Sequence, residues 1–137
     1  MVTNNDARKF PNMKQGSERK NFKVDRILCD VPCSGDGTLR KNTAIWKNFH
    51  CHMGHQNHKL QLEILLRGLQ LLKKDGRLVY STCSFNPIEN EAVVQAALKK
   101  MKDFVTLVDV SSEVSPYLRY RPGMLKWKVF HRGKGKN

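Results

Sequence analysis

Asp25-Arg26-Ile27-Leu28-Cys29-Asp30-Val31-Pro32-Cys33-Ser34-Gly35 is the stretch whose reading decides the fold of this chain. Val24 to Asp30 reads as a buried strand that empties into a segment rich in Pro, Gly and polar groups. The pattern returns at Gly76-Arg77-Leu78-Val79-Tyr80-Ser81-Thr82-Cys83-Ser84, where Arg77 to Thr82 reads as a second strand. Between them, His58 to Lys74 carries Leu60, Ile64, Leu65, Leu69 and Leu72 at helical spacing, widened by Leu62, Leu66 and Leu71. Lys73 and Lys74 suit the negative end of the helix dipole, and Gly76 offers a left-handed stop. Strand, loop, helix, strand predicts a right-handed crossover between parallel strands. In an open α/β sheet, ligands bind beyond the carboxyl ends of the strands. Cys33 and Cys83 are therefore expected at one crevice, although they lie far apart in sequence. One thiol there suggests a nucleophile; two suggest a covalent adduct that is made and then resolved.

Working outward, residues 1–23 read as a polar, loop-rich amino-terminal segment. Val31 to Asn57 reads as a long functional loop with a short helix near Trp46. After the second strand, Asn86 can cap a helix, Pro87 fits its first position and Glu89 sits where a capping-box acid belongs. That helix runs to Met101, with Ile88, Ala92, Val93, Ala96, Ala97 and Met101 as its inner face. Phe104 to Val108 reads as another strand, and Trp127 to Phe130 as one more. The predicted organisation is a single α/β domain with its core at 24–130 and a basic tail at 131–137.

The 137 residues suffice for one domain with a real core but hardly for two. The net charge is +13, from 25 Lys and Arg against 12 Asp and Glu. It is clustered: no acid lies between Asp36 and Glu63, nor from Arg119 to Asn137. Clustered basic charge favours a polyanionic partner, and nucleic acid first, because neutralised phosphates release counterions. A membrane surface is the competitor, but no amphipathic basic helix accompanies the charge. No signal peptide and no spanning apolar run are present, so an intracellular protein with reduced thiols is expected.

The runs Asp30-Val31-Pro32-Cys33-Ser34-Gly35 and Ser81-Thr82-Cys83-Ser84 resemble two signature motifs of the Sun-type (Fmu-related) RNA cytosine-5 methyltransferases. Asn86-Pro87-Ile88-Glu89-Asn90-Glu91 and Gly37-Thr38-Leu39-Arg40-Lys41-Asn42 with Trp46 resemble the same family, most closely its eukaryotic transfer-RNA methylating branch. The resemblance implies the carboxyl-terminal part of a Rossmann-like fold that uses S-adenosylmethionine, with an incomplete sheet and helices on its faces. It implies Cys83 as the nucleophile on carbon 6 of cytosine and Cys33 as the thiol that helps release the product. It implies Asp30 as a contact to the cofactor region and the base, and Asp6, within Asn4-Asn5-Asp6-Ala7, as a contact near the adenine. It implies transfer RNA as partner, and the nucleus or nucleolus as location. The family's glycine-rich cofactor loop, its acidic ribose-binding strand and a usual lysine of the catalytic site have no counterpart, so a fragment of a catalytic domain is expected. Gly35-Asp36-Gly37 does not replace that loop, because Arg40 stands where a third glycine belongs.

Cysteine suits this chemistry. Carbon 5 of cytosine is a poor nucleophile until a thiolate adds at carbon 6, and a thiolate also leaves again. Asp30 could hydrogen-bond the polar edge of the base, which must leave its stack to enter a pocket. The basic loop from Arg40 to Lys59 could hold the phosphates. A DNA cytosine methyltransferase would instead make Cys33 the attacker, and Thr82-Cys83-Ser84 argues against it. A catalytically incomplete RNA-binding fragment is the alternative of another class. Zinc on Cys51 with His50, His52, His55 or His58 is a third reading, and no metal is expected because no paired Cys-x-x-Cys occurs. The histidines read as solvated loop residues, and Cys29, Trp46 and Trp127 as packing residues.

Overall fold

The computed structural model describes residues 2–17, 20–50, 52–114 and 116–128. The chain divides into two compact units, Met1–Leu107 and Val108–Asn137. The division falls inside the 24–130 segment, and each unit is taken by itself.

The first unit opens with a turn of 3-10 helix, Ala7–Lys9, capped by the Asp6 side chain. Strands β1 (Met13–Gln15) and β2 (Lys20–Phe22) then form an antiparallel hairpin, with Met13 opposite Phe22. The amino-terminal segment is thus more ordered than its polarity suggests. Short-range pairing across Gly16 and a side-chain cap need no apolar run to announce them.

β3 (Val24–Asp30) and β4 (Leu72–Ser81) pair in parallel, Leu28 opposite Val79 and Asp30 opposite Ser81. The expected parallel pair is present, joined through α1 (Ala44–Asn48) and the long α2 (His52–Leu71). α2 begins six residues before its expected start and hands directly to β4 at Leu72. Lys73 is therefore a strand residue, and its ammonium bonds the Asp25 carboxylate at 3.0 Å instead of serving the helix end. The left-handed residue is Asp75 (φ 60°), not Gly76. Asp tolerates that region because its short side chain can bond locally.

The buried stripe of α2 is Gly54, Gln61, Leu65, Gly68 and Leu71. Counting leucines finds Leu65 and Leu71 of this stripe and misses Gly54, Gln61 and Gly68. At Gly68 the helix backbone comes so close to the sheet that an added Cβ would lie 2.8 Å from Cys29 Sγ and 2.9 Å from Leu78 Cδ1. Gly68→Ala is expected to destabilise the unit. Alanine gains about 1 kcal/mol of helix propensity over glycine, but the clash costs about 1–3 kcal/mol. A lowered urea midpoint with an unchanged slope is the check.

Leu65, Val93 and Ala97 form the core where α2 meets α3 (Glu91–Lys100), with Leu78 and Tyr80 packed against them. Cys29 is buried, as a packing residue should be. The strands are not buried on both faces, as read from sequence. Ile27, Cys29, Leu78 and Tyr80 point to the helices, whereas Leu28 and Val79 stay 67% and 58% exposed on the other face. Period-2 alternation puts neighbours on opposite faces, and only one face carries helices among the described residues of this unit.

Phe104 to Val108 forms no strand, and Phe104 is 82% exposed. Apolar, β-branched composition alone does not make a strand; a ladder partner does. In the second unit, α4 (Ser111–Val114) is the one regular element among the described residues. Trp127 and Lys128 are not in a strand, while Val129, Phe130 and the basic tail lie outside the described residues. Among the described residues no helix is long and apolar enough to cross a membrane.

Candidate active site

The loops after β3 and β4 run side by side. Val31 N–H donates to Ser81 O at 3.1 Å, and Gly37 N–H to Cys83 O at 2.9 Å. The carboxylate of Asp36 accepts from Phe85 N–H at 3.2 Å. Gly35-Asp36-Gly37, which opens a 3-10 turn at Asp36–Thr38, therefore clamps the loop that carries Cys83. At Gly37 a Cβ would stand 2.7 Å from the Cys83 carbonyl oxygen, so only glycine admits the contact.

This clamp brings the Cys33 and Cys83 sulfurs to 3.2 Å. Cys83 is exposed and Cys33 half-buried. Burial first, and the contact with Cys83 second, push the Cys33 thiol up to about 11. Cys33 thus holds its proton at neutral pH and has one to share with the facing sulfur. Ile45 of α1 closes over Gly35, leaving Trp46 77% exposed rather than packed.

Asp30 stands at the end of β3, exposed, with one carboxylate oxygen accepting from Ser81 Oγ at 2.7 Å. Asp6 is elsewhere. Both its oxygens accept from Arg8, through the backbone N–H and the guanidinium. Those bonds hold its carboxyl down at about 2. Arg8 reaches Glu63 of α2, whereas the cysteine loops meet α2 at Asn57 and Gln61.

The residue that sequence reasoning misassigned is Glu89. It is no capping-box acid, because regular helix begins only at Glu91. Asn86 does cap locally, its side chain accepting from Ile88 N–H at 3.0 Å. The Glu89 side chain instead turns inward and is fully buried. It accepts from Ser34 N–H, Ser34 Oγ–H, Ser84 Oγ–H, Asn57 Nδ2 and Gln61 Nε2. Its own turn is held by Tyr80, whose hydroxyl donates to Glu89 O at 2.6 Å, and by His58 Nδ1, which donates to Ile88 O at 2.8 Å. His58 is therefore a helical anchor rather than a solvated loop residue. The signal available in sequence was two serines, each following a motif cysteine, with one acid nearby.

Burial alone would raise the Glu89 carboxyl, but the bonds from Ser34, Asn57 and Ser84 outweigh it and hold it below its ordinary 4.5. A depressed carboxylate contributes stability above its unfolded-state value and loses it as pH falls through the folded one. Stability is expected to be full at neutral pH and to drop below about pH 4.5. The Glu89→Gln variant should show a flatter urea-midpoint profile across that acid range, because the titrating group is gone.

Among the described residues no three His, Cys, Asp or Glu side chains form a group able to hold a metal ion. Cys51, the thiol of the zinc reading, lies outside the described residues.

Comparison with known proteins adds lineage to this geometry. The chain is 54% identical over 94% of its length to the multisite-specific tRNA:(cytosine-C(5))-methyltransferase trm4b of Schizosaccharomyces pombe, and covers 20% of that protein. It is 53% identical over 96% of its length to the multisite-specific tRNA:(cytosine-C(5))-methyltransferase of Saccharomyces cerevisiae, covering 20% of it. Against the tRNA (cytosine(34)-C(5))-methyltransferase of Drosophila melanogaster, identity is 49% over 94% of the chain and 18% of the relative. The chain thus spans about a fifth of the length of these curated relatives. The crystal structure of PH0851 superposes on 56% of this chain and 17% of its own, with a TM-score of 0.52 and 35% identity. That likeness agrees with a partial Rossmann-like α/β fold. The family described as 16S rRNA methyltransferase RsmB/F matches residues 1–122, and the chain belongs to it.

Proposed function

We propose that the chain carries the cysteine pair of an enzyme that methylates carbon 5 of cytosine in RNA, with transfer RNA as substrate. The sulfur-to-sulfur distance of 3.2 Å between the loops that end β3 and β4 is the observation that carries this reading. A single pyrimidine entering there can touch both thiols. The tRNA cytosine-C5 names of the similar proteins support the substrate class.

In this reading Cys83, the exposed thiol, attacks carbon 6 and makes carbon 5 nucleophilic. S-adenosylmethionine, when bound, supplies the methyl group as an electrophile. Asp30 has acceptor capacity for the cofactor or the base edge, because Ser81 engages only one of its oxygens. Asp6 offers acceptor capacity only when Arg8 releases its carboxylate. After transfer, the proton on carbon 5 must leave before the sulfur can. Cys33 suits that step: its protonated sulfur lies 3.2 Å from Cys83 Sγ, so it can pass its proton to that sulfur as the carbon–sulfur bond breaks and take up the carbon-5 proton in exchange. Arg40, Lys41, Lys47 and Lys59 lie in the acid-free stretch that meets the phosphates.

The test incubates the complete protein with S-adenosylmethionine and transfer-RNA transcripts, then weighs the released nucleosides. Cytidine heavier by one methyl at carbon 5 is expected, and none would sink the reading. The charge of +13 supports one other outcome, a non-catalytic RNA-binding role. It would appear as RNA binding with steep salt dependence and no calorimetric heat on adding S-adenosylmethionine.

A further inference from the structure

We propose that Glu89 is the positioning residue of the two-thiol site, setting the separation of Cys33 and Cys83 by gripping the residue that follows each. Its role in catalysis rests on the function proposed above; its role in spacing the sulfurs does not.

The argument starts from burial. A carboxylate with no exposure is costly unless every lone pair is answered. Here the answers come from three separate pieces of chain. Ser34, next to Cys33, gives its backbone N–H at 2.9 Å and its hydroxyl. Ser84, next to Cys83, gives its hydroxyl at 2.9 Å. Asn57 and Gln61 on α2 each give an amide at 3.0 Å. Ser34 Oγ and Ser84 Oγ also lie 3.1 Å apart, so one carboxylate draws both hydroxyls to the same spot.

The two cysteine loops are otherwise joined by few bonds near the thiols. Gly37 to Cys83 and Asp36 to Phe85 hold one side. Glu89 holds the other and ties both loops to α2 through Asn57 and Gln61. The turn that carries it is closed by Asn90, whose side chain donates to Ser84 O at 2.9 Å and to Asn86 O at 3.0 Å. Gln61 is aimed by the same group: its amide also donates to Pro32 O at 2.9 Å, one residue before Cys33. Glu89 touches neither sulfur and acts through its neighbours.

Phenylarsine oxide reads the spacing without any methyl transfer. It condenses with two thiols, forming two arsenic–sulfur bonds and releasing water, only where both sulfurs can reach one arsenic. Wild-type protein is expected to capture one arsenical in a form that resists excess monothiol, and Cys33→Ala to lose this. Glu89→Ala should weaken capture about a hundredfold, the scale of a displacement near 1 Å, while each cysteine still alkylates with iodoacetamide. Glu89→Gln, which keeps an acceptor for Ser34 N–H and Asn57, should recover part of it. In methyl-transfer assays the same variants should lower kcat with little change in KM for RNA.

Unchanged capture in a folded Glu89→Ala overturns the proposal, whatever the methylation result. If that variant melts below the assay temperature, Ser84→Ala and Glu89→Gln carry the test, and wild-type capture in both overturns it. Capture that depends on Glu89 in a protein without methylation sustains the positioning role and removes the enzymatic reading instead.

Discussion

Cys83→Ala is expected to abolish both methyl transfer and covalent attachment to RNA, while Cys33→Ala accumulates the attached RNA. The asymmetry follows from the site. Cys83 is exposed at the mouth of the loop pair, whereas Cys33 is half-buried and pushed up to about 11. In the proposed reaction the accessible sulfur forms the bond to carbon 6, and the deeper one is needed only to complete its release. Removing the nucleophile should lower turnover on the order of a thousandfold or more, as with other nucleophile knock-outs. Removing Cys33 should also lower turnover, but leave a denaturation-resistant protein–RNA band on a gel. Equal bands from both variants, or a band only from Cys83→Ala, would reverse or refute the assignment.

Gly37→Ala is expected to produce the second-largest effect, although Gly37 performs no chemistry. Its Cβ would stand 2.7 Å from the Cys83 carbonyl oxygen and 3.3 Å from the carbonyl carbon. Both are backbone atoms, so no side chain can swing aside to relieve the contact. The Gly37 N–H bond to Cys83 O would lengthen, and the loops would part. Overpacking of this kind costs about 1–3 kcal/mol of stability. Displacing the nucleophile by about 1 Å should cost on the order of a hundredfold in kcat. A cooperative melt with reduced midpoint, together with this loss, is the expected pair of results. Full activity would mean that the clamp does not set the sulfur position.

Local pattern made much of the scaffold legible. The apolar run at Ile27-Leu28-Cys29 and the one at Leu78-Val79-Tyr80 announced two strands, and the leucines between them announced the helix. The short helix near Trp46 and a helix reaching Lys100 were also readable. The errors share a cause. Leu28 and Val79 look as apolar as Ile27 and Leu78, so composition could not say which face helices cover. Gly54, Gln61 and Gly68 mark the buried line of α2, yet no hydrophobic count selects them. Phe104 to Val108 has strand composition but no ladder partner among the described residues, and Trp46 is apolar yet lies in the open.

By itself the sequence determined that two thiols end two parallel strands joined through a helix, because strand runs, turn residues and helical periodicity are properties of near neighbours along the chain. Only the tertiary structure decided that those sulfurs meet at 3.2 Å, that Asp6 spends its carboxylate on Arg8, and that Glu89 turns inward to hold both loops. The contacts of Glu89 with Ser34, Asn57 and Gln61 join residues in segments far apart along the chain. Hydrogen-bond geometry and burial exist only once those segments are packed, and no spacing rule along one chain encodes them.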